Sequence, residues 1–180
     1  DGQGGADYVD GGANSDLISG GDGDDLIRGG ANDDILHGDA GIDVLMGDAG
    51  SDHLFGDIGD ESKIQALRQV GQRLFGGEGI DYLWAYSELT ITGVDDERKF
   101  TGDQLFGGPG GDWIYGGIRQ EVLVGDAGND TILGDYLRGP NYATNPQADT
   151  LGADDIIRGG SGEDQIYGGG GRDFIRGGAD

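Results

Sequence analysis

The feature that most constrains this chain is a nine-residue period. From Gly11 the sequence runs GGANSDLIS, GGDGDDLIR, GGANDDILH, GDAGIDVLM, GDAGSDHLF. Gly holds position 1, Gly or Asp position 2, Gly or Asn position 4, Asp position 6 and a branched aliphatic position 8. A short exact period denotes a stacked architecture, because one unit cannot bury its own apolar residue. Three stretches break the period and then regain the same ending: Gly56–Phe75 closes in RLF, Ala85–Phe106 in DQLF and Gly134–Arg158 in DDIIR. Taken as single long units, they give 15 complete units counted from Gly2. Position 8 is then Val9, Ile18, Ile27, Leu36, Leu45, Leu54, Leu74, Leu83, Leu105, Ile114, Leu123, Ile132, Ile157, Ile166 and Ile175. Val, Ile and Leu together supply only 35 of the 180 residues, yet they fill every one of these places. A disordered acidic chain has no reason to keep that order.

The unit itself limits what can form. Positions 1–6 are rich in Gly, Asn and Asp and predict a turn, since Gly and Asn tolerate the left-handed region. Positions 7–9 predict a three-residue strand with its middle side chain inward. With 42 Gly an ordinary helical core is excluded. Two units per coil place two short sheets face to face with the aliphatics between them. The expected fold is therefore all-β: a right-handed parallel β-roll, a β-solenoid of two nonapeptide units per coil, with three insertions carried on one domain over residues 1–180.

The charge follows from the same geometry. There are 35 acidic and 11 basic residues, a net charge of -24, and no Cys. This argues against nucleic-acid or anionic-membrane binding, which need Lys/Arg patches. It also removes disulfides, thiolate zinc sites and thiol nucleophiles. No apolar run reaches the roughly 18 residues of a membrane span. The opening DGQGGADYVDGG lacks the charged and apolar regions of a signal peptide. In a two-unit coil, unit n stacks on unit n+2, so the position-6 carboxylates form columns spaced by about 4.8 Å along each edge. Unneutralised, they repel one another. Oxygen ligands without His or Cys select a hard divalent cation, and calcium fits better than magnesium because it accepts six to eight oxygens with flexible geometry.

GGDGDDLIR, GGSGEDQIY and GGGGRDFIR resemble the glycine-rich nonapeptide repeats of the RTX (repeats-in-toxin, haemolysin-type calcium-binding) family, and the resemblance covers the chain outside the three insertions. It implies a ligand set. One turn gives the carbonyls of positions 2 and 4 and its Asp; the turn two units later gives the carbonyls of positions 1 and 3 and its Asp. Gly12, Asn14 and Asp16 would join Gly29, Ala31 and Asp34. Gly21, Gly23 and Asp25 would join Gly38, Ala40 and Asp43, and Gly30, Asn32 and Asp34 would join Gly47, Ala49 and Asp52. The resemblance further implies a non-catalytic module of a secreted or cell-surface bacterial protein. Type I secretion would deliver it unfolded to a calcium-rich exterior.

The two edges differ. Even units carry Asp16, Asp34, Asp52, Asp81, Asp112, Asp130 and Asp164, an unbroken column. Odd units carry Asp7, Asp25, Asp43, Glu61, Asp103, Glu121, Asp155 and Asp173, and all three insertions fall in odd units. One edge is expected to be a continuous calcium ladder, and the middle of the other to be replaced by loops. About ten ions would then balance most of the charge, and without calcium the chain should stay unfolded. The insertions, at about 62–73, 85–102 and 136–152, predict an amphipathic helix at Ser62–Arg73, a small hairpin around ELTIT, and a loop. Position 9 of units 6 to 10 is Phe55, Phe75, Trp84, Phe106 and Tyr115, five outward aromatics expected to lie under the insertions or, alternatively, to bind a protein or glycan partner.

Other motifs are read as inert. Gly50-Ser51-Asp52-His53 has the letters of a hydrolase triad, but neighbours in a repeat alternate faces. His37 and His53 are expected to be solvated, as are the position-2 acids Asp39, Asp48, Asp57, Asp126 and Asp135 and the loop Asp95-Asp96-Glu97. The sequon Asn129-Asp130-Thr131 is discounted because its Asp belongs to the ladder. The repeat is cut at both ends, so the chain is expected to be a monomeric segment of a longer protein. A surface-layer or adhesin unit, or the accessory roll of a secreted enzyme, are the alternative settings.

Overall fold

The structure, a computed structural model, describes residues 1–57, 71–85, 101–117, 119–135 and 152–179. Among them fifteen strands form two parallel sheets. The odd sheet stacks β1 (Tyr8–Ala13), β3 (Leu26–Ala31), β5 (Val44–Ala49), β7 (Arg73–Glu78), β9 (Thr101–Pro109), β11 (Gln120–Ala127), β13 (Ile156–Ser161) and β15 (Phe174–Ala179) in that order. The even sheet stacks β2 (Leu17–Asp22), β4 (Ile35–Ala40), β6 (His53–Asp57), β8 (Tyr82–Trp84), β10 (Trp113–Tyr115), β12 (Thr131–Leu133) and β14 (Gln165–Tyr167). Every neighbour is two units away in sequence, which is a β-roll with two units per coil.

Position 8 sets the register throughout. Val9 pairs with Ile27, Ile27 with Leu45, and Leu45 with Leu74 across the first insertion; Leu74 pairs with Leu105 and Leu123 with Ile157 across the other two. The insertions therefore bulge from the stack without adding half a coil. All three leave an even strand and return to an odd one, from the same edge. From Ile27 to Ile157 the position-8 side chains are fully buried and form a single seam, with Val9 and Ile166 packed against its ends. Ile175, on the last rung, is 45% exposed.

The turns show why the repeat keeps its small residues. Positions 2 and 4 take left-handed backbone angles: Asp39 has φ 70° and Asn32 φ 76°, while Gly41 reaches φ 153°. Asn and Asp hold most of the milder values, and the angles above 120° fall on Gly apart from Asn14 at φ 131°. Position 1 needs Gly for another reason. A Cβ on Gly107 would meet the Asp112 carboxylate of its own unit and the carbonyl oxygen of Gly125 on the next rung.

The coil reclaims residues assigned to the insertions by sequence. Arg73 opens β7, Gly102 lies within β9, and Ala85 donates its N–H to the Tyr115 carbonyl at 2.9 Å from a buried position. The predicted helix lies mostly, and the predicted hairpin and Asp95–Glu97 wholly, outside the described residues, as does most of the third loop.

The aromatics do not form one patch, because successive units alternate sheets. His37, Phe55, Trp84 and Tyr115 stack along the even sheet with ring centroids 4.7, 4.6 and 5.4 Å apart, while Phe75 and Phe106 stack at 5.1 Å on the odd sheet. The histidines are not solvated as expected. His37 is half-buried against Phe55, and burial pushes its imidazole down from the ordinary range. His53 lies 4.8 Å from Tyr82 in a second column that continues to Trp113. Along each column these rings lie face to face or tilted against one another.

Candidate metal centre

Most strands begin directly after position 6, and β9 and β11 begin just before it, so β-pairing carries the position-6 side chains into register. Along the even edge Asp16 donates its backbone N–H to Asp34 Oδ1 at 2.8 Å, Asp34 to Asp52 at 2.8 Å and Asp52 to Asp81 at 2.8 Å. The column continues from Asp81 to Asp112 at 2.9 Å, Asp112 to Asp130 at 2.9 Å and Asp130 to Asp164 at 3.1 Å. The even edge is unbroken over these six links, as expected.

The odd edge is better preserved than expected. Asp7 donates to Asp25 and Asp25 to Asp43 in the same way, and Glu121 donates to Asp155 and Asp155 to Asp173. The loops displace early turn positions and leave position 6 in place, because position 6 is fixed by the strand that follows it. One assignment changes. Counting forward from Gly56 gives Glu61, which lies outside the described residues. Counting back from Leu74 gives Gln72, and Gln72 holds the rung: Asp43 donates to its Oε1 at 2.6 Å, and its own N–H reaches Asp103 Oδ1 at 2.9 Å. Its Nε2 donates to the Gly41 carbonyl at 2.9 Å. The Asp43–Glu61 pairing is thus replaced by Asp43–Gln72, a rung without charge.

One carboxylate oxygen is thus satisfied per rung. The other is not. Oδ2 of Asp7, Asp16, Asp25, Asp34, Asp43, Asp52, Asp81, Asp112, Asp130 and Asp155, and Oε2 of Glu121, are buried without a hydrogen-bond partner. An orphaned carboxylate oxygen is costly to bury, and a native structure normally supplies each with a donor or an ion. The same atom is left in the same place on rung after rung.

The electrostatics agree. Burial pushes Asp43 and Asp112 up to about 7 and Asp52 and Asp81 up to about 6, with the N–H of the stacked unit pulling part of the way back. Asp25, Asp34 and Asp130 are raised for the same reason. Burial also raises Asp103 to about 6, against the Arg119 cation and the N–H groups of Gln72 and Gly71. Without a cation, burial makes these carboxyls keep their protons to higher pH than an exposed Asp does. With one beside them they would ionise.

The carbonyls named in sequence stand near these columns, and several already accept bonds. The carbonyls of Ala31, Ala40 and Ala49 receive the N–H of Asn14, Gly23 and Asn32 at 3.2, 2.6 and 2.7 Å. The position-2 carbonyl oxygens of Gly12, Asp48 and Asp126 occupy the space that a Cβ on Gly30, Gly77 and Gly160 of the next rung would need.

Two features escape sequence reading. Position 5 forms a second polar column on the turns: Asp24 Oδ1 accepts from Ile42 N–H, Asp33 from Ser51, Asn129 from Glu163 and Asp154 from Arg172. Position 5 is too variable for this to show in the repeat. The other is Asp135. Its position-2 relatives Asp39 and Asp48 are half-buried, bonded to Ser19 Oγ and Arg28 Nε, and Asp126 is exposed; Asp135 instead is 7% exposed and accepts Gly170 N–H at 2.5 Å. Burial pushes it up to about 8. Its oxygens join those of Glu121 and Asp155, all within 4.8 Å of one another. Only the fold reveals this, since Asp126 and Asp135 share a repeat position.

Among the described residues no helix is long and apolar enough to cross a membrane. Comparison with curated proteins and with solved structures returned no significant match. The model of the RTX calcium-binding nonapeptide repeat matches in four copies, at residues 1–36, 28–60, 101–132 and 149–180. Those matches span more than half of the chain and fall on the rungs described above. The chain belongs to the RTX calcium-binding nonapeptide-repeat family.

Proposed function

We propose that this calcium-binding β-roll is a folding switch: a non-catalytic module of a secreted bacterial protein that is disordered where calcium is scarce and becomes a rigid spacer where it is plentiful. The observation that carries the reading is the set of buried, unpartnered carboxylate oxygens that recurs in constant register on ten position-6 Asp and on Glu121. Each pair of stacked position-6 carboxylates, with turn carbonyls around it, offers hard oxygen ligands for calcium. The gaps are Asp16/Asp34, Asp34/Asp52, Asp52/Asp81, Asp81/Asp112, Asp112/Asp130 and Asp130/Asp164 on the even edge, and Asp7/Asp25, Asp25/Asp43 and Asp155/Asp173 on the odd edge. Glu121/Asp155 brings the total to about ten, and Gln72 leaves the Asp43 and Asp103 gaps short of charge.

One aliphatic per nine residues is a thin seam for a chain so rich in Gly, whose backbone loses the most freedom on ordering. Ion binding therefore becomes folding free energy. Extracellular modules bind calcium near 10⁻⁴–10⁻³ M, well above cytoplasmic levels, which sets the direction of the switch. Equilibrium dialysis with radioactive calcium tests the stoichiometry. The reading expects about ten ions bound cooperatively at millimolar calcium; one or two ions, with no change in secondary structure, would refute it.

A further inference from the structure

We infer that Glu121, Asp135 and Asp155 form a divalent-cation clip at the base of the third insertion, distinct in composition from the repeat sites. The inference rests on the proposed calcium ladder and goes beyond it. A repeat gap offers two carboxylates; this cluster offers three, and the third comes from position 2, which elsewhere contributes only backbone to the column. The three oxygens lie within 4.8 Å of one another, inside the roughly 4.6–5.2 Å width of a calcium oxygen shell.

The side chains are built for this place. Glu121, Asp135 and Asp155 are 1%, 7% and 1% exposed, and each has an oxygen without a partner: Glu121 Oε2, Asp135 Oδ1 and Asp155 Oδ2. Glu121 is the single Glu at position 6 among the described units, and its extra methylene lengthens its reach. Asp135 fits because a Cβ on Gly152 or Gly169 would overlap its carboxylate; the turn Gly168-Gly169-Gly170-Gly171 supplies the room. Unit 11, with Arg119 and Gln120 in its turn, lacks the glycine-rich loop of an ordinary repeat, and a side chain substitutes.

The placement has a consequence. Asp135 stands just before the insertion and Asp155 just after it, while Glu121 lies on the preceding rung. One ion there fastens both ends of the loop to the coil, and a clip across a long loop removes chain entropy from the unfolded state. Because affinity rises with the number of charged ligands, this site fills first as calcium is raised.

The test is calcium binding by the full chain at low free calcium, comparing the native sequence with Asp135→Asn and with Asp126→Asn, an exposed acid at the same repeat position. The expected result is a first ion bound roughly tenfold more weakly in D135N, with the remaining ions and D126N unchanged. Equal first-ion affinity in D135N and the native chain overturns the clip while leaving the ladder intact. A native chain that binds no calcium refutes the ladder itself. Should D135N lack the coil at saturating calcium by circular dichroism, Glu121→Gln decides: it lowers the charge of the same cluster without touching the insertion, and unchanged first-ion affinity there overturns the proposal.

Discussion

Replacing Asp112 by Asn separates the two jobs of the position-6 carboxylate, because it removes the charge and keeps the shape. Asp112 is fully buried, its Oδ1 accepts Asp81 N–H at 2.9 Å, and its own N–H reaches Asp130 Oδ1 at 2.9 Å. An Asn oxygen can keep the first bond, and the second is backbone. In the metal-free coil the carboxyl is pushed up to about 7 from 3.8, mainly by burial. At about 1.4 kcal/mol per pH unit that is ~4 kcal/mol against ionising it, reduced to ~2 kcal/mol by solvent screening at the edge. Asp112→Asn should therefore stabilise the metal-free coil at pH 7.5 by about 2 kcal/mol. With calcium the sign reverses. Asp112 borders two gaps, and taking one partner from a buried ion costs about 3–5 kcal/mol, so the calcium-loaded coil should be weaker and the folding midpoint should move to higher calcium. Far-UV circular dichroism during calcium titration, and urea unfolding at saturating calcium, read both effects. An unchanged calcium midpoint, or a gain in stability with calcium present, would refute the reasoning.

Two further expectations use the same structure. Protons should compete with calcium: Asp43 and Asp112, raised to about 7, and Asp52 and Asp81, raised to about 6, favour the metal-free coil fully below about pH 4 and lose that contribution as pH rises through 6–7. The chelated chain should accordingly show more β-signal at pH 4 than at pH 7.5, and the calcium midpoint should rise from pH 8 to pH 5.5; a midpoint independent of pH would contradict this. Leu54→Ala, in the sealed centre of the seam, should cost about 2–5 kcal/mol at saturating calcium. Leu17→Ala, at a position 75% exposed, should cost under ~0.5 kcal/mol, and urea midpoints compare the two.

The architecture is legible in the sequence because one residue type decides it. The inward aliphatic cannot move without turning its strand inside out, so Leu74, Leu105 and Ile157 hold the register after insertions of any length. The even acidic column follows at a fixed offset. Elsewhere the repeat letters are a weaker guide. Counting forward into a broken unit selects Glu61, whereas the chain is anchored from the strand backward and selects Gln72. Asp126 and Asp135 carry the same letter at the same position, and only Gly152 and an all-glycine turn packed on Asp135 bury one of them. The five aromatics look continuous in sequence, yet units alternate sheets, and the rings stack in separate columns on opposite faces.

The central claim is that divalent ions between stacked acidic turns hold the coil together. Small-angle scattering of the full chain in excess chelator and in millimolar calcium tests it most directly. The account predicts a radius of gyration near 45 Å at pH 7.5 in chelator, as for an unfolded chain of this length, collapsing below about 20 Å with calcium. A compact particle of unchanged size in both solutions would contradict it.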